Sequence, residues 1–318
     1  MKKSIAIIMA LLLLAAGIVS CGARDGDDGR LKVVCTIFPE YDWVKNITEG
    51  ADGIDVTLLI DNGVDLHNYQ PTVRDMAKIS TCDVFIYAGG GSDKWVGDAL
   101  AGAENREMTV ISLLDLLGDR ALEEEITEGM EEDADEEDDG FYDEHVWLSL
   151  KNSAYLCRVI TEKLCEKDAG NAGKYRENCS SYVDEINALD ERYESAVKAA
   201  DSKYILVADR FPFLYMTRDY GIEYSAAFAG CSAETEASFE TIAFLADKIA
   251  EKSLRCVIVT ESSDRRIAET VISESGVSDC RILVMNSGQA VTRAEISAGT
   301  TYISLMTSNL ETLESALG

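Results

Sequence analysis

Basic residues are scarce in this chain: 29 Lys and Arg stand against 58 Asp and Glu over 318 residues, a net charge of -29. A surface so negative repels phosphate backbones and excludes nucleic-acid binding through a basic face. Histidine is scarcer still, with 2 residues, and proline numbers 3. Cysteine occurs 9 times, yet never as C-x-x-C, so neither a zinc knuckle nor a disulfide framework is signalled. Also missing are H-E-x-x-H, the G-x-S-x-G nucleophile elbow and a Walker sequence; Gly89-Gly90-Gly91 matches none of these and reads as a flexible strand-to-helix turn. Cys231, in the loop Gly230 to Glu236, has no signalled base beside it, so cysteine catalysis has little support. What is present is 47% hydrophobic and 8% aromatic residues. That is enough for sizeable cores, and the length suggests two lobes.

The longest apolar run, Ile5 to Ala16, follows Lys2 and Lys3 and precedes Gly17-Ile18-Val19-Ser20-Cys21. It is too short and wrongly flanked for a spanning helix, and reads as a secretory signal over residues 1–20. The Ile-Val-Ser-Cys end resembles a bacterial lipobox, which implies cleavage before Cys21 and lipid attachment there; an ordinary signal ending near a Cys is the plain alternative. Residues 21–30 then read as a flexible tether. The expectation is an exported chain, lipid-anchored on the extracytoplasmic face of the membrane.

Beyond the tether, β-rich runs alternate with helix-length segments. Lys32 to Ile37, Asp55 to Ile60, Asp83 to Tyr87 and Met108 to Ser112 form one set. Tyr204 to Ala208, Glu223 to Ala227, Cys256 to Thr260 and Arg281 to Met285 form another. This pattern predicts an α/β protein of two lobes, each a four-stranded, mainly parallel sheet flanked by helices. Between the sets, Leu150 to Lys167 and Ala172 to Ala200 contain no Pro, and Tyr182, Ile186, Leu189, Tyr193 and Val197 recur at three- and four-residue spacing. A long linking helix follows. The expected organisation is an N-terminal lobe over 31–149, linking helices over 150–200 and a C-terminal lobe over 201–318. Residues 123–144 stand apart with 14 acids and no Lys or Arg. Charge at that density self-repels and predicts a mobile solvated loop, with cation collection as its possible use.

The two histidines are the places to look for chemistry. His67 lies in Gly63-Val64-Asp65-Leu66-His67-Asn68-Tyr69-Gln70-Pro71, just beyond a strand, and His145 lies in Asp143-Glu144-His145-Val146-Trp147-Leu148, at the end of the acidic segment. Ligands of open parallel sheets bind beyond the carboxyl ends of strands, and both histidines follow N-lobe strands. Asp209, Glu261 and Asn286 follow C-lobe strands. Two imidazoles from one lobe and carboxylates of Asp209 and Glu261 from the other would close a Zn(II) or Mn(II) site across a cleft.

The histidine segments resemble the G-x-D-x-H-x-Y-x-P and D-x-H-x-W segments of the metal-binding lipoproteins that serve zinc and manganese ABC importers, the zinc type in particular. Thr36-Ile37-Phe38-Pro39, Arg218-Asp219-Tyr220-Gly221-Ile222 and Val259-Thr260-Glu261 extend the similarity over residues 31–318. The resemblance implies a divalent metal between two lobes joined by a long helix, a membrane permease as partner, no catalytic activity and a monomer held to the bilayer through Cys21. It also exposes departures. The family's third ligand falls on Arg210, which cannot bind a cation, and its fourth falls near Asn286, with Gln289 close by. Glu261 matches a glutamate that is more often structural than ligating. Arg210 could instead pair with a C-lobe acid such as Glu261, leaving Arg210, Asn286 and Gln289 as supporting groups. A metal-dependent hydrolase, or a surface interaction lipoprotein with a decayed site, are the competing readings.

Overall fold

The computed structural model describes residues 29–131, 142–232 and 236–318. The expected signal 1–20, the Cys21 anchor, most of the tether and residues 132–141 lie outside them. Among the described residues no helix is long and apolar enough to cross a membrane.

Leu31–Gly318 forms one compact unit. Its first sheet holds β1 (Leu31–Cys35), β2 (Ile54–Leu58), β3 (Val84–Tyr87) and β4 (Thr109–Ser112) in the order β2-β1-β3-β4. The second holds β5 (Tyr204–Phe211), β6 (Glu223–Ala229), β7 (Cys256–Thr260) and β8 (Arg281–Met285) in the order β6-β5-β7-β8. All pairings are parallel, so the strand runs are apolar on both faces and need helical cover. The α/β architecture read from the sequence is the observed one.

Two strand ends differ from expectation, and both differences bear on function. β1 stops at Cys35 rather than Ile37: Glu40 turns back to accept the backbone N–H of Ile37 at 3.3 Å and shares that of Thr36, at 2.8 Å, with the Ile86 carbonyl of β3. The Glu40 side chain reaching back to the N-cap Ile37 N–H closes the first turn of the helix Phe38–Ile47. β5 runs on past Ala208 to Phe211, because its pairing with β6 shifts: Val207 faces Ala226, whereas Arg210 faces Phe228. One extra residue on β5 makes a bulge. Asp209 and Arg210 therefore sit within a strand, not in a loop after it.

The linking helix Ala172–Ala199 buries Tyr182, Ile186, Leu189, Tyr193 and Val197, the stripe its periodicity marked. They join one core with Val33 and Val34 of the first sheet, Val207 and Ile258 of the second, and Leu310 and Leu313 of the C-terminal helix Tyr302–Leu317. Tyr193 Oη donates to the Met306 carbonyl at 2.6 Å, pinning the linking helix to that last helix. A second core, with Leu206, Val257, Val259 and Leu245, fills the outer C-terminal lobe.

Candidate metal site

His67 sits on the 3-10 turn Leu66–Asn68 and His145 immediately precedes the 3-10 turn Val146–Leu148, and both are held by the same device. Asp65 Oδ1 accepts the His67 backbone N–H at 3.0 Å and lies 2.7 Å from His67 Nδ1. Asp143 Oδ1 does likewise for His145, at 2.7 Å from its N and 3.0 Å from its Nδ1. An aspartate two residues ahead thus fixes both the turn and the ring, and by holding the proton on Nδ1 leaves the Nε2 lone pair for a ligand. The rings stand 5.2 Å apart. Nε2 of each is buried without a hydrogen-bond partner; Glu144 Oε1 comes within 3.2 Å of His67 Nε2, but not in hydrogen-bond alignment.

His145, Asp143 and Glu144 are essentially inaccessible. Burial opposes a charge on His145, yet Asp143, Glu144 and Glu124 outweigh it and raise its pKa above the ordinary imidazole value. Asp65 behaves in the opposite sense. Burial works against its charge, but the hydrogen bond and charge of His67, together with Arg210, hold it well below the usual carboxylate range. Glu144 is oriented by Ser92, whose hydroxyl meets Oε1 and whose N–H donates to Oε2 at 3.1 Å. Room for that side chain comes from Gly90, where a Cβ would fall 2.0 Å from Glu144 Oε2. The glycine run that read as a plain flexible turn is therefore a close-approach site for Glu144.

A thiol of the C-terminal lobe comes close to His67 and Glu144. His67, Glu144 and Cys231 each place one ligand atom so that all lie within 4.8 Å of one another. Cys231 follows Gly230 at the end of β6, and its N–H donates to Glu124 Oε1 at 2.7 Å. A Cβ on Gly230 would come within 2.8 Å of the Phe211 carbonyl and 3.2 Å of the His145 ring. Burial and then Glu144, Asp143 and Glu124 push the Cys231 thiol well above its ordinary pKa.

The expected C-lobe carboxylates are engaged elsewhere. Asp209 Oδ2 accepts Thr260 N at 3.1 Å and Thr260 Oγ1 at 2.8 Å, and its Oδ1 accepts Arg210 N at 2.9 Å, so it ties the β5 bulge to β7. Glu261 accepts the N–H and hydroxyl of Ser287, each at 2.7 Å. Neither is in the group with His67. Arg210 pairs with Asp65 of the other lobe at 2.8 Å rather than with Glu261, because the bulge re-aims it. Asn286 Oδ1 accepts the Gly288 N–H at 2.7 Å, shaping the turn whose Ser287 carbonyl takes Trp147 Nε1 at 2.7 Å. Gln289 is buried, with Oε1 unpartnered.

The acidic segment corrects another expectation where it is described. Glu123 bridges Tyr142, Glu125 pairs with Arg218 at 2.7 Å, Glu131 N donates to the Ala227 carbonyl at 2.9 Å, and Met130 is buried. These flanks are anchored because C-lobe donors neutralise carboxylates that a solvated loop would leave facing water.

A family model described as the periplasmic zinc-uptake complex component A, ZnuA, matches residues 33–316. The chain belongs to the ZnuA family. Among ZnuA-family relatives, it is 29% identical over 317 residues to the zinc-binding lipoprotein AdcA of Streptococcus pneumoniae, covering 98% of this chain and 60% of that protein. The chain thus spans about three fifths of the AdcA relatives' length. It is 28% identical to the high-affinity zinc uptake system protein ZnuA of Bacillus subtilis, over 96% of this chain and 94% of that one. The solved Zn(II)-bound ZnuA-like domain of S. pneumoniae AdcA is 26% identical, with a TM-score of 0.71 over 91% of this chain and 99% of its own. The metal-dependent lipoprotein YcdH of B. subtilis, also 26% identical, gives 0.73 over 91% and 100%.

Both imidazoles stand out in the sequence, whereas Glu144 does not and Cys231 reads there only as an unsupported nucleophile. The strand-end rule applied to Asp209 and Glu261 also covers the loop after β6, so Cys231 carried a usable signal. Glu144 had one as well, lying next to His145.

Proposed function

We propose that this chain is an extracytoplasmic solute-binding lipoprotein, anchored through Cys21, that captures a divalent transition metal between its lobes and presents it to an ABC importer. Zinc is the first choice of cargo and manganese the next. One observation carries the reading: two imidazoles with Nδ1 engaged by Asp65 and Asp143 and with both Nε2 atoms buried and unpartnered. Borderline cations take such nitrogen donors, and an unsatisfied buried lone pair is costly without one. The zinc-binding relatives AdcA and ZnuA support the same cargo. His67 and His145 are the nitrogen ligands, while Asp209 and Glu261 brace the C-lobe strand ends. The protein binds and releases, as a monomer, without turnover.

Elemental analysis and calorimetric titration of the metal-stripped full chain test the reading. One zinc per chain is expected, and His67→Ala or His145→Ala should each weaken it by well over about tenfold, since the remaining donors cannot replace an imidazole. Unchanged affinity in both variants sinks the site. A second reading, a surface lipoprotein whose metal site has been lost, draws on Arg210 at the family's third-ligand position, and a stoichiometry near zero would select it.

A further inference from the structure

Two nitrogen ligands leave a cation half-coordinated, and the C-terminal lobe must supply what the N-terminal lobe lacks. Its strand-end groups can be taken in turn. Arg210 offers no lone pair and is drawn to Asp65. The Asp209 carboxylate ties Thr260 and Arg210 N, Glu261 holds Ser287 and Asn286 Oδ1 holds Gly288, and neither carboxylate lies in the group of ligand atoms around His67. At the end of β6 the situation differs: Cys231 Sγ stands within 4.8 Å of His67 Nε2 and of a Glu144 carboxylate oxygen. The His67 side chain is 9% exposed and its Nε2 has no hydrogen-bond partner. His145, fully buried and likewise unpartnered at Nε2, packs against Gly230, the residue before the cysteine.

We propose that Cys231 closes the site from the C-terminal lobe, making the cargo's donor set His67 Nε2, His145 Nε2, Glu144 carboxylate and Cys231 Sγ. This rests on the metal-capture reading above and specifies its chemistry. Zinc–nitrogen bonds of about 2.0–2.1 Å and zinc–sulfur bonds of about 2.3 Å in a tetrahedron put neighbouring donors about 3.3–3.8 Å apart. His67 Nε2 and Glu144 Oε1 already stand at 3.2 Å, the separations to Cys231 Sγ, at most 4.8 Å, need a contraction of up to about 1.5 Å, and His145, which lies outside that group, joins as its ring moves toward the ion. The thiol gives its proton to solvent as the metal–sulfur bond forms. Sulfur in the set makes the site selective: zinc, cadmium and cobalt accept a thiolate, whereas manganese favours oxygen donors. The Cys231 substitution should therefore act on the softer ions and spare the harder one.

Cobalt(II) serves as the optical probe, bound to the metal-stripped full chain. The wild type should show thiolate-to-cobalt charge-transfer absorption in the near ultraviolet. Cys231→Ser and Cys231→Ala should lose it, while Cys280→Ser, which removes another partly exposed thiol, should keep it. In calorimetry both Cys231 variants should bind zinc weaker by on the order of tenfold or more, with manganese affinity little changed. Unchanged thermal midpoints in the metal-free variants would separate a lost ligand from a lost fold. A wild-type cobalt complex that depends on His67 and shows no thiolate band overturns the sulfur assignment alone, as does undiminished zinc affinity in both Cys231 variants. Wild-type protein that takes up neither zinc nor cobalt overturns this proposal and the metal-capture reading together.

Discussion

Asp65 and Asp143 each spend one oxygen on two tasks, holding a backbone N–H and an imidazole Nδ1 two residues on. Replacing the carboxylate by an amide keeps the size and removes the charge that fixes the tautomer. Asp143→Asn, fully buried, should weaken zinc by about 10–100-fold, as losing such a supporting acceptor typically does. Asp65→Asn should do the same and in addition release Arg210. Titration calorimetry on the two variants checks this, and affinities equal to wild type would show that the rings orient themselves without help. The Asp-x-His spacing was visible in the sequence because both halves of the device lie within three residues. Cys231 was not picked out, because its relation to His67 is created by the meeting of β6 with a loop more than 160 positions earlier.

At the level of elements, the strands and the linking helix were legible because their cause is local: apolar runs of strand length in one case, a three- and four-residue repeat in the other. The β5 bulge was not. Nothing in Ala208-Asp209-Arg210-Phe211 announces an extra residue, and it exists because Asp209 finds Thr260 on the neighbouring strand. The acidic segment was half legible: its charge is plain, but the partners of Glu124, Glu125 and Glu131 lie in the other lobe. Residues 132–141 hold 7 acids. Deleting only these spares the anchored flanks, and should slow zinc association several-fold at low salt while leaving equilibrium affinity largely intact, because long-range attraction acts on encounter and is screened by ions. Stopped-flow association at two ionic strengths checks it. A large loss of affinity, or no kinetic change, would speak against cation collection by this stretch.

For the molecule as a whole, pH acts through two buried acids, Glu40 and Asp93. Burial, then the charge of Asp93, pushes Glu40 up from 4.5 to about 8, and burial and Glu144 push Asp93 up to about 7. In that window the folded chain keeps protons that the unfolded chain has lost, so stability falls as pH rises from about 5 to about 8, by up to about 1.4 kcal/mol per unit for one fully linked group. Glu40→Gln should flatten this slope in denaturant titrations at several pH values; an unaltered slope would mean that Glu40 ionises freely in the fold. The linking helix has a consequence of another kind. Its 28 residues make a rod of about 42 Å, and the core around it is shared by both sheets. Swinging the lobes apart like jaws would break into that shared core, at about 1.5–3 kcal/mol for each large apolar side chain laid bare. On the proposed reading, cargo therefore enters and leaves by movement of the short turns around His67, His145 and Cys231. On that same reading, a partner that unloads the protein has to pick the lock at its rim and cannot force the hinge.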